Sequence, residues 1–218
     1  MNIIPPRLPE ALTAVEDFPA YAQPLIADDI TMSDLQISNE QCEGADFYRL
    51  DIRRSAFARC TFHKCGFEKA AFIDAAFENC DFSNSNFQGA YFERCRFISC
   101  KGIGIDAAGA VFKHVTFEDA NLQYANFNTA KLTSVLFRRV EFTDASMAEA
   151  KLAKFAAEDS RFIHNDFNKT MLKGIDFSGS ALIAPIVSSP PVELRGIVID
   201  MLQAPDLVSL LGIKVKQP

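Results

Sequence analysis

The chain has 218 residues, of which 49% are hydrophobic and 23% are charged, and its formal net charge is −6. This composition supports one or two domains with a sizeable core and excludes a disordered acidic chain. The negative charge argues against nucleic-acid binding, and no apolar run approaches the roughly 18 residues of a membrane span. The start lacks the basic and apolar stretches of a secretory signal, so the expected location is the cytoplasm.

Residues 1–29 precede the regular part of the chain and are predicted to form an N-terminal cap or strap. They contain five prolines, which interrupt backbone pairing, together with scattered apolar residues. A short helix is predicted over Pro9–Glu16. A cap is needed where a stacked repeat array begins, because the first unit otherwise leaves its backbone groups open to edge-to-edge growth.

A five-residue repeat occupies residues 30–184. Stepping by five from Phe47 to Leu182 meets a bulky apolar residue at nearly every step, without an insertion or a deletion. Of the 20 phenylalanines, 18 lie in this register, and only Phe18 and Phe155 fall outside it. A second register, two residues earlier, is mostly alanine, cysteine and serine, and the other three positions are mostly polar or charged.

The spacing of the repeat dictates its geometry. On an α-helix, every fifth residue rotates by about 140°, so no apolar stripe results. On a continuous strand, residues five apart point to opposite faces. The pattern therefore predicts very short extended pieces separated by corners. Repeated corners generate an all-β solenoid with one large and one small inward residue per unit.

Several units share a motif that belongs to a known family. Residues 45–47 read Ala-Asp-Phe, residues 80–82 read Cys-Asp-Phe, and residues 120–127 contain two consecutive Ala-Asn units. These segments resemble the A-(D/N)-(L/F)-x-x consensus of pentapeptide-repeat proteins. The resemblance implies a right-handed quadrilateral β-helix with four pentapeptides per coil, so the 28 central steps would form seven coils. At the spacing of neighbouring strands, the rod would be about 35 Å long.

Residues 185–218 are predicted to form a C-terminal cap and dimerisation helix. Val192–Ile199 is expected to be a last irregular strand. Asp200 is predicted to cap a short α-helix. The regular helix is expected to begin near Ala204, because Pro205 is then accommodated in its first turn.

The predicted C-terminal helix is too apolar for a solvated one. The tail is similar to the C-terminal segment of pentapeptide-repeat proteins that dimerise end to end, which implies a homodimer through this helix. The alternative is a cap that folds back on its own rod. The candidate interface residues are Leu202, Leu207, Val208, Leu210 and Leu211.

Catalytic and metal-binding motifs are missing from the sequence. Five of the six cysteines lie in the small register, which favours packed thiols, and a metal or redox role is the alternative. The sequence has no C-x-x-C pair, G-x-S-x-G motif, phosphate loop or H-E-x-x-H motif. We therefore expect no enzyme activity, no catalytic residue, no cofactor and no metal.

Five acidic residues would stack along one edge of a 20-residue coil. This set, which we call the acidic column, is Glu78, Glu118, Asp119, Glu158 and Asp159. It is a candidate partner-facing surface. Arg138 and Arg139 would lie between its members, so an alternating ion-pair ladder is the other interpretation. A basic cluster at residues 49–69 would be spread over different faces, so direct nucleic-acid binding is not expected.

The family resemblance raises two functional hypotheses. Qnr-type and MfpA-type members bind DNA gyrase or topoisomerase IV by resembling a DNA duplex in width and charge. Residues 30–183, however, contain 20 acidic and 18 basic residues, and the register lacks the inserted loops of Qnr-type proteins. The sequence therefore favours a non-catalytic scaffold or interaction rod with an unknown protein partner. The alternative is a DNA-mimicking topoisomerase binder that modulates the enzyme or confers resistance to its poisons.

Overall fold

The computed structural model, which describes residues 1–215, is a right-handed quadrilateral β-helix of about nine turns. Residues that pair between successive turns differ by 20 in number, as in the pairs Phe72 with Phe92 and Phe92 with Phe112. Four five-residue units therefore make one turn, and the predicted all-β fold with a short C-terminal helix is confirmed. The solenoid has more turns than the seven predicted, because residues outside the unbroken register add pairing at both ends.

Short parallel strands form the walls of the solenoid. Eleven belong to one sheet with the main path β1-β3-β6-β9-β10-β11-β12-β13, and β4-β7 and β14-β15 form two smaller sheets. The helices are α1 (Phe18–Ala27), a 3-10 helix (Val192–Leu194) and α2 (Ala204–Ser209). The strands are β1 (Thr13–Val15), β2 (Met32–Ser33), β3 (Leu35–Ser38), β4 (Gln41–Glu43), β5 (Asp51–Arg53), β6 (Ala56–Ala58), β7 (Thr61–His63), β8 (Ala71–Ile73), β9 (Ala76–Glu78), β10 (Tyr91–Ile98), β11 (Val111–Glu118), β12 (Lys131–Arg138), β13 (Lys151–Glu158), β14 (Arg161–Ile163) and β15 (Ala181–Ile183).

The interior is filled by stacked phenylalanine rings. The rings of Phe67 and Phe87 lie 4.8 Å apart at an interplanar angle of 4°, and neighbouring columns meet edge to face. Burial of one such side chain contributes about 1.5–3 kcal/mol. Both phenylalanines outside the register are also buried: Phe18 stacks on Phe47 at 5.4 Å, and Phe155 lies against Phe137.

The corners of the solenoid place non-glycine residues in the left-handed region of backbone conformation. The residue before nearly every small inward position has a positive φ, as in Arg49 (62°), Lys64 (52°) and Thr129 (58°). An L-residue in this conformation costs about 1–2 kcal/mol. The five-residue spacing predicts a corner in each unit, and the structure assigns it to this position.

A glycine-rich passage at residues 101–109 keeps the register, as the sequence indicates, but leaves a gap in the core. Gly102 and Ala107 occupy positions of the large register, so two rings of the stack are missing in this turn. The result is an apolar cavity of about 30 Å³ beside Phe82, Phe87 and Ile105.

The N-terminal segment covers the first turn, although not through the helix predicted over Pro9–Glu16. That prediction is wrong: β1 lies in this range and pairs with β3. The helix begins later, at Phe18, because Asp17 caps it by accepting a hydrogen bond from the Ala20 backbone N–H at 3.1 Å.

Residues 1–12 form a strap that runs along the outside of the rod. The Arg7 backbone N–H donates to Asp74 Oδ1 at 3.0 Å, and the Ile4 backbone N–H donates to His114 Nδ1 at 3.4 Å. Met1 lies beside Leu136, which is buried although it points outward from the rod. The strap therefore spans several turns of one face.

The C-terminal segment departs from the predicted last strand over Val192–Ile199. The 3-10 helix occupies the start of this range, and a single bridge joins Val198 to Asp176. The helix α2 begins at Ala204 as predicted, but the prediction that Asp200 caps it is wrong: the N-cap residue is Gln203, and no side chain caps the helix. Asp200 stabilises the preceding turn, where its Oδ1 accepts a hydrogen bond from the Gln203 backbone N–H at 3.0 Å. Within residues 1–215, no helix is both long and apolar enough to cross a membrane.

Candidate interaction surfaces

The acidic column is interleaved with arginines along the rod. The Arg138 guanidinium lies 2.8 Å from Glu158 and 3.7 Å from Glu118. Arg139 contacts Glu118 and Asp119, each at 2.6 Å. These contacts form the ion-pair ladder that was one of the two interpretations of the sequence.

The remaining members of the column differ in their surroundings. Glu78 contacts Arg96 at 2.7 Å, whereas Asp159 has no ion pair with any residue in the described range 1–215. A hydrogen bond from Arg139 lowers the pKa of Asp119 below its ordinary value. The column is therefore a ladder of alternating sign, and its use as a partner-facing surface stays a prediction.

The strap occludes another face. Arg94 contacts Asp74 through two nitrogens, at 2.7 and 2.8 Å, and the Arg7 backbone N–H completes the cluster. Burial raises the pKa of Asp74, but the hydrogen bonds from Arg94 and Arg7 outweigh it and hold the pKa below its ordinary value. Ser134 and Leu136, at outward positions, are also buried on this face. A partner would therefore meet the strap here, and not the wall itself.

The C-terminal end of the rod exposes apolar side chains. Of the candidate interface residues, Leu202 is 87% exposed and Leu211 is 59% exposed, whereas Leu207 is buried in its own chain. Val208 lines a groove of about 330 Å³ between the 3-10 helix and α2, and Leu210 is partly exposed. Further exposed apolar residues at this end were not among the candidate interface residues, and they include Met201, Ile213 and Val215.

All six cysteines are buried and unbridged. Burial raises the pKa of Cys42 and of Cys95 to about 12. The Cys95 thiol donates to the Phe72 carbonyl at 3.3 Å. Among residues 1–215, no three His, Cys, Asp or Glu side chains are grouped so as to hold a metal ion.

The three histidines lie at outward positions. His63 Nε2 lies 3.2 Å from Asp81 Oδ2, and His164 Nδ1 lies 3.4 Å from Asp144 Oδ1. His114 accepts the hydrogen bond from the strap. Each histidine therefore has a local polar contact, on the wall or with the strap.

Comparison with known families matches most of the repeat. A model described as "Pentapeptide repeat region" matches residues 70–147, and one described as "Pentapeptide repeats (8 copies)" matches residues 141–179. The model of the SV2A/B/C luminal domain matches residues 29–106. A comparison with curated protein sequences finds no significant match.

Solved structures share the solenoid. A trypsin-treated form of QnrB1, a plasmid-mediated fluoroquinolone resistance protein, aligns with a TM-score of 0.62 and 23% identity, over 83% of this chain and 90% of that chain. HetL, a pentapeptide repeat protein involved in heterocyst differentiation regulation in the cyanobacterium Nostoc sp. strain PCC 7120, aligns with a TM-score of 0.33 and 15% identity. That alignment covers 78% of this chain and 89% of HetL. At 23% identity, the alignment with QnrB1 shows that the two chains share a fold.

Proposed function

Because the chain belongs to the pentapeptide-repeat proteins, we propose that it is a non-catalytic interaction rod whose outer faces bind a protein partner. The observation that supports this is the filled interior. Stacked rings occupy the axis, and the cavity beside Gly102 holds only about 30 Å³, far below the volume of an ordinary substrate pocket. A partner would then be recognised by side chains on the outer walls. Six free buried thiols fit a reducing compartment such as the cytoplasm.

The charge pattern of the walls favours a scaffold over a DNA mimic. Duplex DNA has one negative charge per about 1.7 Å of its axis. In this rod, Arg138 and Arg139 separate the carboxylates of the acidic column, and residues 30–183 contain nearly equal numbers of acidic and basic residues. A surface of alternating sign suits a partner that is itself mixed in charge.

Photo-cross-linking tests the interaction rod. A benzophenone amino acid is placed at one exposed position on each wall, for example Gln88, Lys101, Lys131 and Glu158. We expect one or two adjacent walls to cross-link the same protein in cells, while the other walls do not. Failure of every wall to cross-link any protein would contradict the proposal.

A topoisomerase partner is the second candidate, and the fold likeness to a fluoroquinolone resistance protein is the observation that favours it. The test adds purified protein to DNA gyrase and topoisomerase IV in supercoiling and quinolone-cleavage reactions. A scaffold with another partner leaves both reactions unchanged at micromolar protein. Inhibition, or protection from quinolone cleavage, would instead support the DNA-mimicking binder.

We also propose an end-to-end homodimer through the C-terminal end. The exposed Leu202 and Leu211, next to an apolar groove, support it. We expect the double variant Leu202→Asp, Leu211→Asp to halve the mass measured by light scattering. The matched control is Ile30→Asp, an exposed apolar residue near the other end. An unchanged mass in the double variant would favour a cap that serves only its own rod.

A further inference from the structure

The strand β13 is the last strand of the main sheet, although the chain continues for two more turns. Seven residue pairs join β13 to β12. Within residues 1–215, no backbone hydrogen bond joins residues 151–158 to residues 171–178, which lie one turn further along. One edge of β13, which turns a corner at Lys154 (φ 55°) and so belongs to two walls, therefore has no backbone partner in this turn.

The side chains of this turn explain the open edge. In the unit that ends β13, the large and small registers are exchanged: Phe155 stands in the small position and Ala157 in the large one. The next turn places Ile175 above Phe155. Equivalent residues in earlier turns are smaller: Ser55, Ala75, Cys95, Val115 and Val135. Two bulky residues in this column fill the space between the turns and leave Phe155 and Ala157 buried. The turns stay joined at both ends, where the Ala150 N–H donates to Thr170 Oγ1 at 2.8 Å and the Asp159 N–H donates to the Gly179 carbonyl at 3.1 Å.

The following turn is bonded to the C-terminal cap. The Leu172 backbone N–H donates to the Glu193 carbonyl at 3.0 Å, and that of Phe177 donates to the Val198 carbonyl at 2.8 Å. Between them, the chain turns at Gly174, where φ is 79°. Earlier turns make the same kind of forward bond, as from the Phe142 N–H to the Arg161 carbonyl, and they also pair with the turn before them. Residues 171–178 lack that second set of bonds.

The gap in backbone pairing between β13 and residues 171–178 is called the seam below. The exposure of neighbouring side chains agrees with this gap. Leu152 lies in the large register, which is otherwise buried in β10–β12, yet it is only half-buried. Met171 is 52% exposed. A cleft of about 450 Å³ lies at this point, and Lys151 and Lys169 also line it.

The surroundings of the seam are basic. Lys131, Lys151 and Lys154 are exposed and have no ion pair with residues 1–215. Of the nearby carboxylates, Glu149 contacts Lys169 at 2.7 Å and Glu158 contacts Arg138, whereas Asp159 and Asp176 have no ion pair with residues 1–215. Lys173, in the turn beyond β13, is exposed and also has none, so four such lysines outnumber the two carboxylates. The seam thus combines unpaired backbone groups with positive charge.

We propose that the accessible part of the β13 edge, residues 151–154, binds an extended acidic segment of a partner protein, which adds a strand to the sheet. Main-chain hydrogen bonds would provide affinity, and the lysines would select acidic side chains. The inference rests on the proposed function, since it locates the binding site of an interaction rod and states the chemistry of what binds there.

The probe is a fluorescein-labelled peptide of about ten residues that alternates glutamate and valine. We expect saturable binding by fluorescence anisotropy. The double variant Lys151→Glu, Lys154→Glu should weaken binding by at least about tenfold, since it replaces attraction by repulsion. The control Lys101→Glu, the same change on another wall, should leave binding unchanged.

Two further measurements separate strand addition from charge attraction alone. A peptide methylated at alternate backbone nitrogens keeps its charge but cannot pair along one edge, so its binding should be lost. The double variant Phe155→Ala, Ala157→Phe returns both residues to their usual registers and should close the seam. It should also lose binding while keeping its circular dichroism spectrum.

Three outcomes would overturn the inference. The first is no binding up to about 1 mM peptide, which corresponds to a binding free energy of about 4 kcal/mol, and the second is equal binding of the methylated peptide. The third is a doubling of the protein's mass that depends on the seam, because a second copy of the chain would then be the occupant. Partner cross-linking from other walls would survive any of these. The failure of this site is therefore distinguishable from the failure of the interaction rod.

Discussion

The turns that contain β10–β12 and the turns beyond β13 follow the same five-residue rule but differ in how their walls are joined. In β10–β12, each strand pairs with both neighbours over its whole length, and the large register is fully buried. Beyond β13, the wall is split, and Leu152 is half-exposed. The difference indicates that the volume of the inward residues in each turn determines whether that turn forms backbone hydrogen bonds with the next.

The largest expected effect comes from removing the ring at the split. Phe155→Ala leaves a unit with no large residue, so we expect a loss of about 3–5 kcal/mol in the free energy of unfolding, measured by urea titration. Adding Ala157→Phe should recover most of this loss, because the ring returns to the large register. A double variant less stable than the single one would refute the register explanation.

A matched pair of leucines compares the two regions directly. Leu132 and Leu152 occupy equivalent positions one turn apart, but only Leu132 is fully buried. We expect Leu132→Ala to cost about 3 kcal/mol and Leu152→Ala about 1 kcal/mol in urea titrations. Equal losses would mean that the seam is closed in solution.

The small register also differs along the rod, since it is rich in cysteine in the early turns and in serine and threonine in the late ones. Burial raises the pKa of Cys42 and Cys95 to about 12. The unfolded thiols, at about 9, ionise first, so stability should fall as pH rises above about 9. The measurement is the urea midpoint against pH.

The control for this pH dependence is the variant Cys42→Ala, Cys95→Ala. It should be less stable at neutral pH because it loses packed sulfur atoms, but its midpoint should change less between pH 8 and pH 11. Thiol reagent should label the parent protein only as it unfolds. Fast labelling of the folded protein at pH 8 would contradict the burial of these thiols.

The smallest expected effect concerns a corner. Thr129 is exposed, β-branched and held at a φ of 58°. Asparagine tolerates this conformation better, so Thr129→Asn should raise the free energy of unfolding by about 0.5–1 kcal/mol. Thr133→Asn, an exposed strand position in β12, should instead lower it by a few tenths of a kcal/mol. A gain at both positions would exclude the corner as the cause.

The fold was predictable from the sequence because one property, residue volume at every fifth position, determines it. The Phe register defines what faces inward, and it marks Phe155 and Ala157 as exceptions. It does not tell that residues 171–178 make no backbone hydrogen bond to β13, because that depends on how Phe155 and Ile175 pack between the two turns.

The interaction surfaces were only partly predictable. The 20-residue coil places Arg138 between Glu118 and Glu158, and that arrangement follows from counting alone. The strap does not follow from counting, because residues 1–12 lie outside the repeat and bind it through single backbone groups at Asp74 and His114. A pattern of volumes contains no information about such isolated contacts.

The strap alters how the molecule should come apart. A solenoid with contacts only between neighbouring coils can unravel stepwise from either terminus. Here, a tether from Met1 to β1 crosses several coils, with anchors at Asp74 and His114. Fraying from the N-terminal side must first detach the tether from coils near the middle. Stepwise unfolding of the coils should therefore start at the C-terminal end, and limited proteolysis should shorten the rod from that end.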